Sequence, residues 1–398
     1  MTPVRTDPTT PTAAIAELGL RAELTESLAA RGITTAFDIQ ARTIPAALAG
    51  RDVCGKAPTG SGKTLAFGIP VVERVQRARP KHPRALILTP TRELAAQIAG
   101  ELQLLIGNRR TSVATFYGGV GFGPQLAALR RGVDIAVACP GRLADLIRRG
   151  DASLSDVDIV VLDEADRMAD MGFLPEVRRL LNQVRPDRQT LLFSATLDGA
   201  INVLVRDYQR DPLRAEVAPD PQVVDRTTHT FLPVRRDARV ATAADLVAKH
   251  GSAVVFCRTK RGADRVARQL DNAGVSAVAI HGGRSQGQRD RALASFARGT
   301  AQALVATDVA ARGIHIDDVQ CVVHFDIAGD HKDYVHRSGR TGRAGAPGTV
   351  VSLVTDEDAA AVRSLRQALG METPASRAPR KTTKPRNSSR RAQGRRRR

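Results

Sequence analysis

The sequence is poor in aromatic side chains. Among its 398 residues there is no tryptophan, and ten phenylalanines and three tyrosines make up an aromatic share of only 3%. Stacking of bases on aromatic rings is one of the main ways in which proteins hold single-stranded nucleic acid. A chain with so few rings is expected to hold such a ligand mainly through other contacts.

Cysteine is scarce as well. Cys54, Cys139, Cys257 and Cys321 lie far apart and show neither metal-ligand spacing nor the density of a disulfide framework. The histidines are also scattered, which argues against a histidine metal site. Isolated cysteines in apolar segments are typical of a reducing compartment, so we expect a cytoplasmic protein.

Long apolar runs are absent. The sequence has no stretch of about 18 apolar residues that could span a bilayer. The N-terminus also lacks the apolar segment of a signal peptide. We therefore expect no membrane partner.

Acidic residues are outnumbered by basic ones. The chain has 60 Lys and Arg against 41 Asp and Glu, and its net charge is +19. Residues 375–398 contain eleven Lys or Arg and no acidic residue. This excess predicts a polyanionic partner, nucleic acid in particular. We predict that residues 371–398 are a disordered electrostatic arm, with a solubility tail as the alternative, and that the Thr- and Pro-rich residues 1–12 are disordered too.

A glycine-rich octet, Ala57-Pro58-Thr59-Gly60-Ser61-Gly62-Lys63-Thr64, has the pattern of a phosphate-binding loop. Glycines let backbone N–H groups approach a triphosphate, and the following helix presents its positive end. Residues 52–56 predict the strand before the loop, and Thr64 to Arg77 predicts the helix after it. Lys63 is expected to reach the β- and γ-phosphates of ATP, and the Thr64 hydroxyl to help hold Mg²⁺. The residues predicted to contact the nucleotide here are Ala57, Thr59, Gly60, Ser61, Gly62, Lys63 and Thr64.

An acidic tetrad, Asp163-Glu164-Ala165-Asp166, follows the apolar run Ile159 to Leu162. Ligands of parallel sheets bind at the carboxyl ends of such buried strands. Asp163 is therefore predicted to bind Mg²⁺, and Glu164 to orient or deprotonate the attacking water. Capping of the next helix is a second role for these carboxylates. Together, the loop and the tetrad predict ATP binding and hydrolysis.

Short apolar runs alternate with helical patterns through both halves of the chain, which predicts an α/β fold with doubly wound parallel sheets. Asp211-Pro212 and Ala218-Pro219-Asp220-Pro221 interrupt the pattern. We predict a first lobe at 13–209, a linker at 210–226 and a second lobe at 227–370. The predicted strands include Arg84 to Leu88, Ile135 to Ala138, Ile159 to Leu162, Thr190 to Phe193, Ala253 to Cys257, Ala277 to Ile280, Ala303 to Ala306 and Gln320 to Phe325.

Over residues 15–365 the chain resembles the DEAD-box family of ATP-dependent RNA helicases, because further motifs occur in the family's order. They are Phe37-Asp38-Ile39-Gln40, the phosphate loop, Pro90-Thr91-Arg92-Glu93-Leu94, Gly118-Gly119, Pro140-Gly141-Arg142, the tetrad, Ser194-Ala195-Thr196, Val255-Phe256-Cys257-Arg258-Thr259, Gln286 with Arg289, Thr307-Asp308-Val309-Ala310-Ala311-Arg312-Gly313, and His336-Arg337-Ser338-Gly339-Arg340-Thr341-Gly342-Arg343.

The resemblance implies two RecA-like lobes, a helicase ATP-binding domain and a helicase C-terminal domain, with ATP between them. It implies that Arg340 and Arg343 are arginine fingers for the γ-phosphate, and that Gln40 reads adenine. The remaining implied roles are nucleotide contact by Gly313; coupling by Asp166, Ser194, Thr196 and His336; and RNA-backbone contact by Arg92, Gly118, Gly119, Gly141, Arg142, Arg258, Thr259, Gln286, Arg289 and Thr307.

The implied function is RNA-stimulated ATP hydrolysis coupled to lobe closure and local unwinding of RNA duplexes. An RNA-annealing chaperone with vestigial ATP use and a DNA-directed remodelling ATPase remain alternatives. Two lobes facing one cleft require no second copy, and ribosomal or RNA-decay partners are not legible from the sequence. The Ala- and Arg-rich composition suits a GC-rich bacterial genome, although composition does not identify a source.

The chain departs from the family pattern at three positions. Ile15 stands where the family usually has an aromatic residue that stacks on adenine. His315 replaces a ribose-contacting aspartate, and Asp317 is a candidate substitute for it. Cys139 replaces the threonine before Pro-Gly-Arg. These changes predict looser adenine selectivity and an altered ribose contact, but they do not touch Lys63 or the residues predicted to be catalytic.

Overall fold

A computed structural model of the protein describes residues 11–58, 60–217, 227–311, 319–342 and 347–371. The described residues form two α/β lobes, each built on one parallel sheet. The predicted fold class is confirmed. None of the helices in these ranges combines the length and the apolar character needed to cross a membrane.

The first lobe, residues 11–217, contains a seven-stranded parallel sheet. Its strands are β3 (Val53–Lys56), β4 (Ala85–Leu88), β5 (Val113–Phe116), β6 (Ile135–Ala138), β7 (Ile159–Asp163), β8 (Gln189–Ser194) and β9 (Leu213–Glu216). The spatial order is β5-β6-β4-β7-β8-β3-β9. A short antiparallel pair, β1 (Pro11–Ala14) and β2 (Thr35–Phe37), lies outside this sheet.

The second lobe, residues 227–371, contains a six-stranded parallel sheet. Its strands are β10 (Thr227–Pro233), β11 (Ala253–Phe256), β12 (Ala277–Ile280), β13 (Ala303–Ala306), β14 (Cys321–His324) and β15 (Gly348–Val354). The spatial order is β10-β15-β14-β11-β13-β12. Parallel neighbours in both sheets bring the carboxyl ends of the strands to one edge, where ligand-binding loops collect.

Helices connect the strands and cover the sheets. In the first lobe they are the 3-10 helix Ile15–Leu18 and the α-helices Ala22–Ala30, Asp38–Leu48, Lys63–Arg74, Arg92–Ile106, Phe122–Arg131, Pro140–Arg148, Ala165–Asp170, Leu174–Leu181 and Gly199–Tyr208. In the second lobe they are Arg239–His250, Lys260–Asn272, Gln286–Ala297, Asp308–Ala311, His331–Ser338, the 3-10 helix Asp356–Asp358, and Ala359–Ala368.

Each sheet lies between two apolar cores because its central strands are buried on both faces. Along β7, Val161 packs into one core of the first lobe and Val160 into the other, as the alternation of side chains along a strand requires. Leu162 is fully buried, and truncating a leucine of this kind to alanine costs about 2–5 kcal/mol. Rigid central strands thus fix the loops that follow them.

The predicted linker was wrong at its N-terminal end. β9, Leu213–Glu216, pairs in parallel with β3 and closes one edge of the first sheet. Asp211-Pro212 ends the preceding segment, but Ala215 and Val217 are buried in the lobe core. The first lobe therefore extends to residue 217 rather than 209, and residues 218–226 lie outside the described residues.

The predictions for the two chain ends and for three strands differ from the structure or fall outside the described residues. Residues 11 and 12 were predicted to be disordered, but the backbone of Pro11–Ala14 pairs with Thr35–Phe37. β5, β10 and β15 were not predicted. The predictions for residues 1–10 and for the tail at 372–398 fall outside the described ranges.

Candidate active site and nucleic-acid interface

The glycine-rich loop connects β3 to the helix Lys63–Arg74, as predicted. Gly60 and Gly62 adopt left-handed backbone conformations, with φ of 86° and 84°, which residues with a Cβ adopt at a cost. The Lys63 ammonium donates hydrogen bonds to the carbonyls of Ala57 (2.8 Å) and Pro58 (2.9 Å). It therefore sits inside the loop, where phosphate oxygens can replace those carbonyls. Thr59 is not among the described residues.

Burial and neighbouring charge act against each other at Lys63. Burial lowers the pKa of the ammonium, whereas the carboxylates of Asp163 and Glu164 raise it. These acidic groups belong to the end of β7, so the structure brings the loop and the acidic tetrad into one electrostatic site.

Asp163 ends β7 and is almost fully buried. Its Oδ1 accepts a hydrogen bond from the backbone N–H of Glu164 at 3.0 Å. Burial and the charge of Glu164 raise the pKa of Asp163. A neighbouring cation would remove this penalty, because it favours the ionised carboxylate.

Glu164 occupies a left-handed backbone conformation with φ of 51°. Such a conformation costs a residue with a side chain about 1–3 kcal/mol and is often found at functional sites. Oε2 of Glu164 lies 2.5 Å from Nη1 of Arg167. Burial alone would raise the pKa of Glu164, but the charges of Arg167, Lys63 and Arg340 outweigh it and lower the pKa. Glu164 is thus held as a carboxylate.

The oxygen donors of this site suit a hard cation such as Mg²⁺. The Asp163 carboxylate and the Thr64 hydroxyl are the candidate ligands, and the described residues contain no cluster of three or more His, Cys, Asp or Glu placed for a metal. Mg²⁺ needs no such cluster, because it is usually bound through one or two carboxylates together with substrate phosphates and water.

Arg340 of the second lobe acts on this site through its charge. Its side chain is almost fully buried, and its charge lowers the pKa of Glu164 in the first lobe. A cation of one lobe therefore acts on the predicted base of the other. Arg343, the second predicted finger, and Gly313, a predicted nucleotide contact, lie outside the described residues.

Arg337 fixes the segment that carries Arg340, a role that sequence reasoning missed. Its Nε and Nη2 bind the two carboxylate oxygens of Asp308 at 2.6 and 2.8 Å, and its Nη1 donates to the carbonyl of Asp326 at 2.6 Å. A planar guanidinium suits this bidentate geometry. The sequence offered one indication of this role, because Arg337 and Asp308 both lie in motifs that carry the resemblance to the family.

Asp166 connects the tetrad to Ser194-Ala195-Thr196. The Asp166 N–H donates to Oγ of Ser194 at 3.1 Å, and Oδ2 accepts from the N–H of Thr196 at 3.0 Å. These three predicted coupling residues are therefore brought together. His336 lines a small cleft with Arg337 and Arg340, and its connection to Asp166 stays a prediction.

Gln40 is buried beside the phosphate loop. Its Oε1 accepts from the N–H of Phe37 at 2.9 Å, and its Nε2 donates to the carbonyl of Gly62 at 3.0 Å. Gln40 thereby joins the start of the helix Asp38–Leu48 to the loop. Contact with adenine stays a prediction. Ile15 is only 1% exposed and belongs to the apolar core of the first lobe.

The predicted RNA contacts of the first lobe lie together. A side chain at Gly119 would collide with the guanidinium of Arg92. Nη2 of Arg142 donates to the carbonyl of Val120 at 3.0 Å, and its guanidinium lies 4.1 Å from the ring centre of Phe122. The loop that begins with Gly118 and Gly119 thus contacts both predicted cations. Gly141 lies in the first turn of the helix that carries Arg142.

The predicted contacts of the second lobe begin its helices or follow its strands. Thr259 caps the helix Lys260–Asn272, and Gln286 begins the helix that carries Arg289. Thr307 directly follows β13. The backbone N–H of Arg258 is held by Oδ2 of Asp326 at 2.8 Å.

Glu93 joins the two predicted RNA surfaces, and sequence reasoning gave it no role. Its Oε1 lies 2.8 Å from Nη2 of Arg289 in the second lobe and 3.3 Å from Nε of Arg92 in its own lobe. One predicted contact of each lobe, Arg92 and Arg289, therefore lies against the same carboxylate.

Two family models match the chain. The model described as DEAD/DEAH box helicase matches residues 37–203, and the model described as Helicase conserved C-terminal domain matches residues 238–345.

Similar sequences come from plants and fungi. DEAD-box ATP-dependent RNA helicase 30 of Arabidopsis thaliana is 43% identical over 352 residues, covering 85% of this chain and 59% of the relative. ATP-dependent RNA helicase DBP2 of Debaryomyces hansenii is 40% identical over 367 residues, covering 89% and 68%. The chain thus spans about six tenths of the length of the plant relative. These relatives do not bear out a bacterial source.

Two solved structures are also similar. Dbp5 of S. cerevisiae bound to RNA and ADP BeF3 aligns with a TM-score of 0.79 and 28% identity, covering 91% of this chain and 95% of that one. A DEAD box protein of Methanococcus jannaschii aligns with a TM-score of 0.53 and 35% identity, covering 91% and 99%.

Proposed function

Because the chain belongs to the DEAD-box family of RNA helicases, we propose that it hydrolyses ATP when RNA is bound and uses lobe closure to separate short RNA duplexes. The observation that carries this proposal is the contact between the lobes: Arg289 of the second lobe lies 2.8 Å from Glu93 of the first, and the charge of Arg340 in the second lobe lowers the pKa of Glu164 in the first. A site assembled from both lobes is complete only when they close.

The residues divide the work of hydrolysis. Lys63 and the loop backbone hold the β- and γ-phosphates, and Glu164 orients or deprotonates the water. Arg340, joined by Arg343, stabilises the charge of the transferring phosphoryl group, a contribution of about 10³–10⁵ in rate where such arginines have been measured. Mg²⁺, held by Asp163 and Thr64, would neutralise phosphate charge.

We propose that RNA binds next to Glu93, where one cation of each lobe lies. We propose that Arg92 and Arg142 of the first lobe and Arg289 of the second follow one strand's backbone. Arg92 and Arg289 lie against the same carboxylate, and Arg142 contacts the loop that also contacts Arg92. Contacts to phosphates carry no sequence information, so we propose binding with little sequence preference. Contacts to the 2′-hydroxyl would favour RNA over DNA.

ATP binding and RNA binding are coupled in this proposal because both ligands favour the same closed arrangement of the lobes. If ATP and RNA each bind the closed arrangement more tightly, each raises the affinity for the other. The ion pair between Glu93 and Arg289, 2.8 Å long and formed across the two lobes, supports a closed arrangement. The hydrogen bonds from Asp166 to Ser194 and Thr196 offer a path from the nucleotide to the interlobe cleft.

Three further properties belong to the proposal. We propose that one copy suffices, that the protein works in a reducing cytoplasm, and that residues 371–398 act as an electrostatic arm on RNA. The free cysteines Cys54, Cys257 and Cys321, all buried, support the second of these.

Phosphate release measured with no polymer, with single-stranded RNA and with single-stranded DNA of equal length tests the function. We expect strong stimulation by RNA alone, and loss of that stimulation in Lys63→Ala. No hydrolysis under any condition would favour an RNA-annealing chaperone. Equal stimulation by DNA would favour a DNA-directed ATPase.

A further inference from the structure

The helix His331–Ser338 ends just before Arg340. It has eight residues, and a helix this short is not stable by itself, so packing against the rest of the lobe must hold it in place. Arg337 provides one such contact through its ion pair with Asp308. Tyr334, about one turn earlier on the same helix, provides another.

The ring of Tyr334 is packed against the second sheet. Tyr334 is only 2% exposed. Its ring stacks on that of Phe231 on β10, with ring centres 5.8 Å apart, and lies edge-on to the imidazole of His324 on β14, with centres 4.8 Å apart. These contacts fix the height of the helix above the sheet.

The hydroxyl of Tyr334 makes polar contacts with two strands. Oη lies 2.9 Å from Nδ1 of His229 on β10. It also hydrogen-bonds to the side chain of Ser352 on β15, and Oγ of Ser352 lies 3.0 Å from Nδ1 of His324. Burial raises the pKa of Tyr334 to about 12, so the hydroxyl keeps its proton and can donate a hydrogen bond.

These four side chains form a buried polar network, which packing alone does not require. A phenylalanine at position 334 would bury the same ring without the cost of burying a hydroxyl. Buried polar networks specify one arrangement of a core more sharply than apolar contacts do, because each hydrogen bond has a required direction. The network therefore restricts the orientation of the helix on the sheet.

We propose that Tyr334 is a positioning residue for Arg340, because its hydroxyl holds the helix His331–Ser338 in the orientation from which Arg340 acts on the nucleotide. This inference rests on the proposed function, and it names a residue that affects hydrolysis without contacting the nucleotide. A displacement of about 1 Å in a catalytic group can cost about 100-fold in rate.

Tyr334→Phe tests the inference, because it keeps the ring and removes only the hydroxyl. Single-turnover phosphate release at saturating ATP and RNA should fall about three- to tenfold, while the dissociation constants of ATP and RNA stay within about twofold of the wild type. Tyr208→Phe is the matched control. It removes a hydroxyl that donates to Oδ1 of Asn182 at 3.0 Å in the first lobe, and it should leave the rate unchanged.

A second variant removes the partner of the hydroxyl instead. His229 lies on β10, an edge strand of the second sheet, and is partly exposed. His229→Ala should slow phosphate release by a similar factor, and the double variant with Tyr334→Phe should be no slower than the slower of the two single variants. Wild-type rates in both single variants would overturn the inference.

The background of Arg340→Ala separates positioning from general support of the fold. If Tyr334 acts through Arg340, Tyr334→Phe should cost less than about twofold in rate once Arg340 has been removed. A general loss of structure would instead slow both backgrounds equally and weaken the binding of ATP or RNA. Equal losses in the two backgrounds would overturn the inference.

The outcomes also distinguish this inference from the function on which it rests. A wild-type chain without RNA-stimulated hydrolysis overturns both. If Arg340→Ala is slow and Tyr334→Phe is as fast as the wild type, the proposed function stands and the role of Tyr334 is refuted.

Discussion

Glu93 of the first lobe and Arg289 of the second form an ion pair, with Oε1 and Nη2 2.8 Å apart and both side chains less than one tenth exposed. Removing one partner of a buried pair costs about 3–5 kcal/mol, because the other charge is left without compensation. A pair that joins two lobes exists only when they are together. It therefore acts on the closure equilibrium.

Glu93→Gln should weaken closure. We expect RNA-stimulated phosphate release at limiting RNA to fall by about 100-fold or more, because a loss of about 3–5 kcal/mol from closure is at least two factors of ten at about 1.4 kcal/mol each. Glu101→Gln is a matched control, because Glu101 lies on the same helix and pairs with Arg31 at 2.9 Å within the first lobe. Equal losses in the two variants would contradict a specific role for the interlobe pair.

Phe122 should position Arg142 for RNA. The guanidiniums of Arg142 and Arg149 lie 4.1 and 4.5 Å from the centre of its ring, and such contacts contribute about 0.5–2 kcal/mol. We expect Phe122→Ala to weaken binding of single-stranded RNA about three- to tenfold, measured by fluorescence anisotropy, and Phe122→Tyr to preserve it. Wild-type affinity in Phe122→Ala, with a loss in Arg142→Ala, would show that the ring is dispensable.

His324 should make the second lobe less stable in acid. It is fully buried on β14, and Nδ1 lies 3.0 Å from Oγ of Ser352. Burial and the charges of Arg337 and His229 lower its pKa well below the ordinary value. Below about pH 6.5 the unfolded chain binds a proton that the folded chain excludes, so the free energy of unfolding decreases as pH falls.

The measurement is the calorimetric melting temperature between about pH 7.5 and 5.5, the range around the ordinary histidine pKa. His324→Asn should reduce the loss in acid. Burial also lowers the pKa of His229, so part of the loss should remain. Ser352→Ala keeps the imidazole and should shift melting without removing the pH dependence. An unchanged pH dependence in His324→Asn would contradict this prediction.

The basic tail should act through salt-sensitive contacts. Deleting residues 375–398 removes eleven cationic side chains. We expect lower RNA affinity and a flatter dependence of log affinity on log salt, since each phosphate neutralised on a single strand contributes a slope of about 0.7. The maximal RNA-stimulated rate should stay within a few-fold. The same salt slope with and without the tail would favour a solubility role.

Local sequence predicted the buried framework well. Ile135 to Ala138, Ala277 to Ile280 and Ala303 to Ala306 are strands with the predicted bounds, because short runs of small or branched apolar residues suit a parallel sheet. The phosphate loop and the tetrad were placed in the correct strand contexts for the same reason.

The edge strand of the first sheet and the contacts between residues distant in sequence were harder to predict from the sequence. β9 alternates Leu213 and Ala215 with charged residues and follows a proline, so it was interpreted as part of the linker. The Glu93–Arg289 pair depends on lobe closure, which no local pattern records. Phe37 is distant in sequence from Gly62, and only the folded turn brings them together.

Single-turnover phosphate release at saturating ATP and RNA, comparing the wild type with Arg340→Ala, tests the central claim most directly. Arg298→Ala, a change at an exposed arginine of the same lobe, is the control. The two-lobe site predicts a loss of about 10³-fold or more in Arg340→Ala, with nucleotide still bound, and little change in the control. A near-wild-type rate in Arg340→Ala would contradict it.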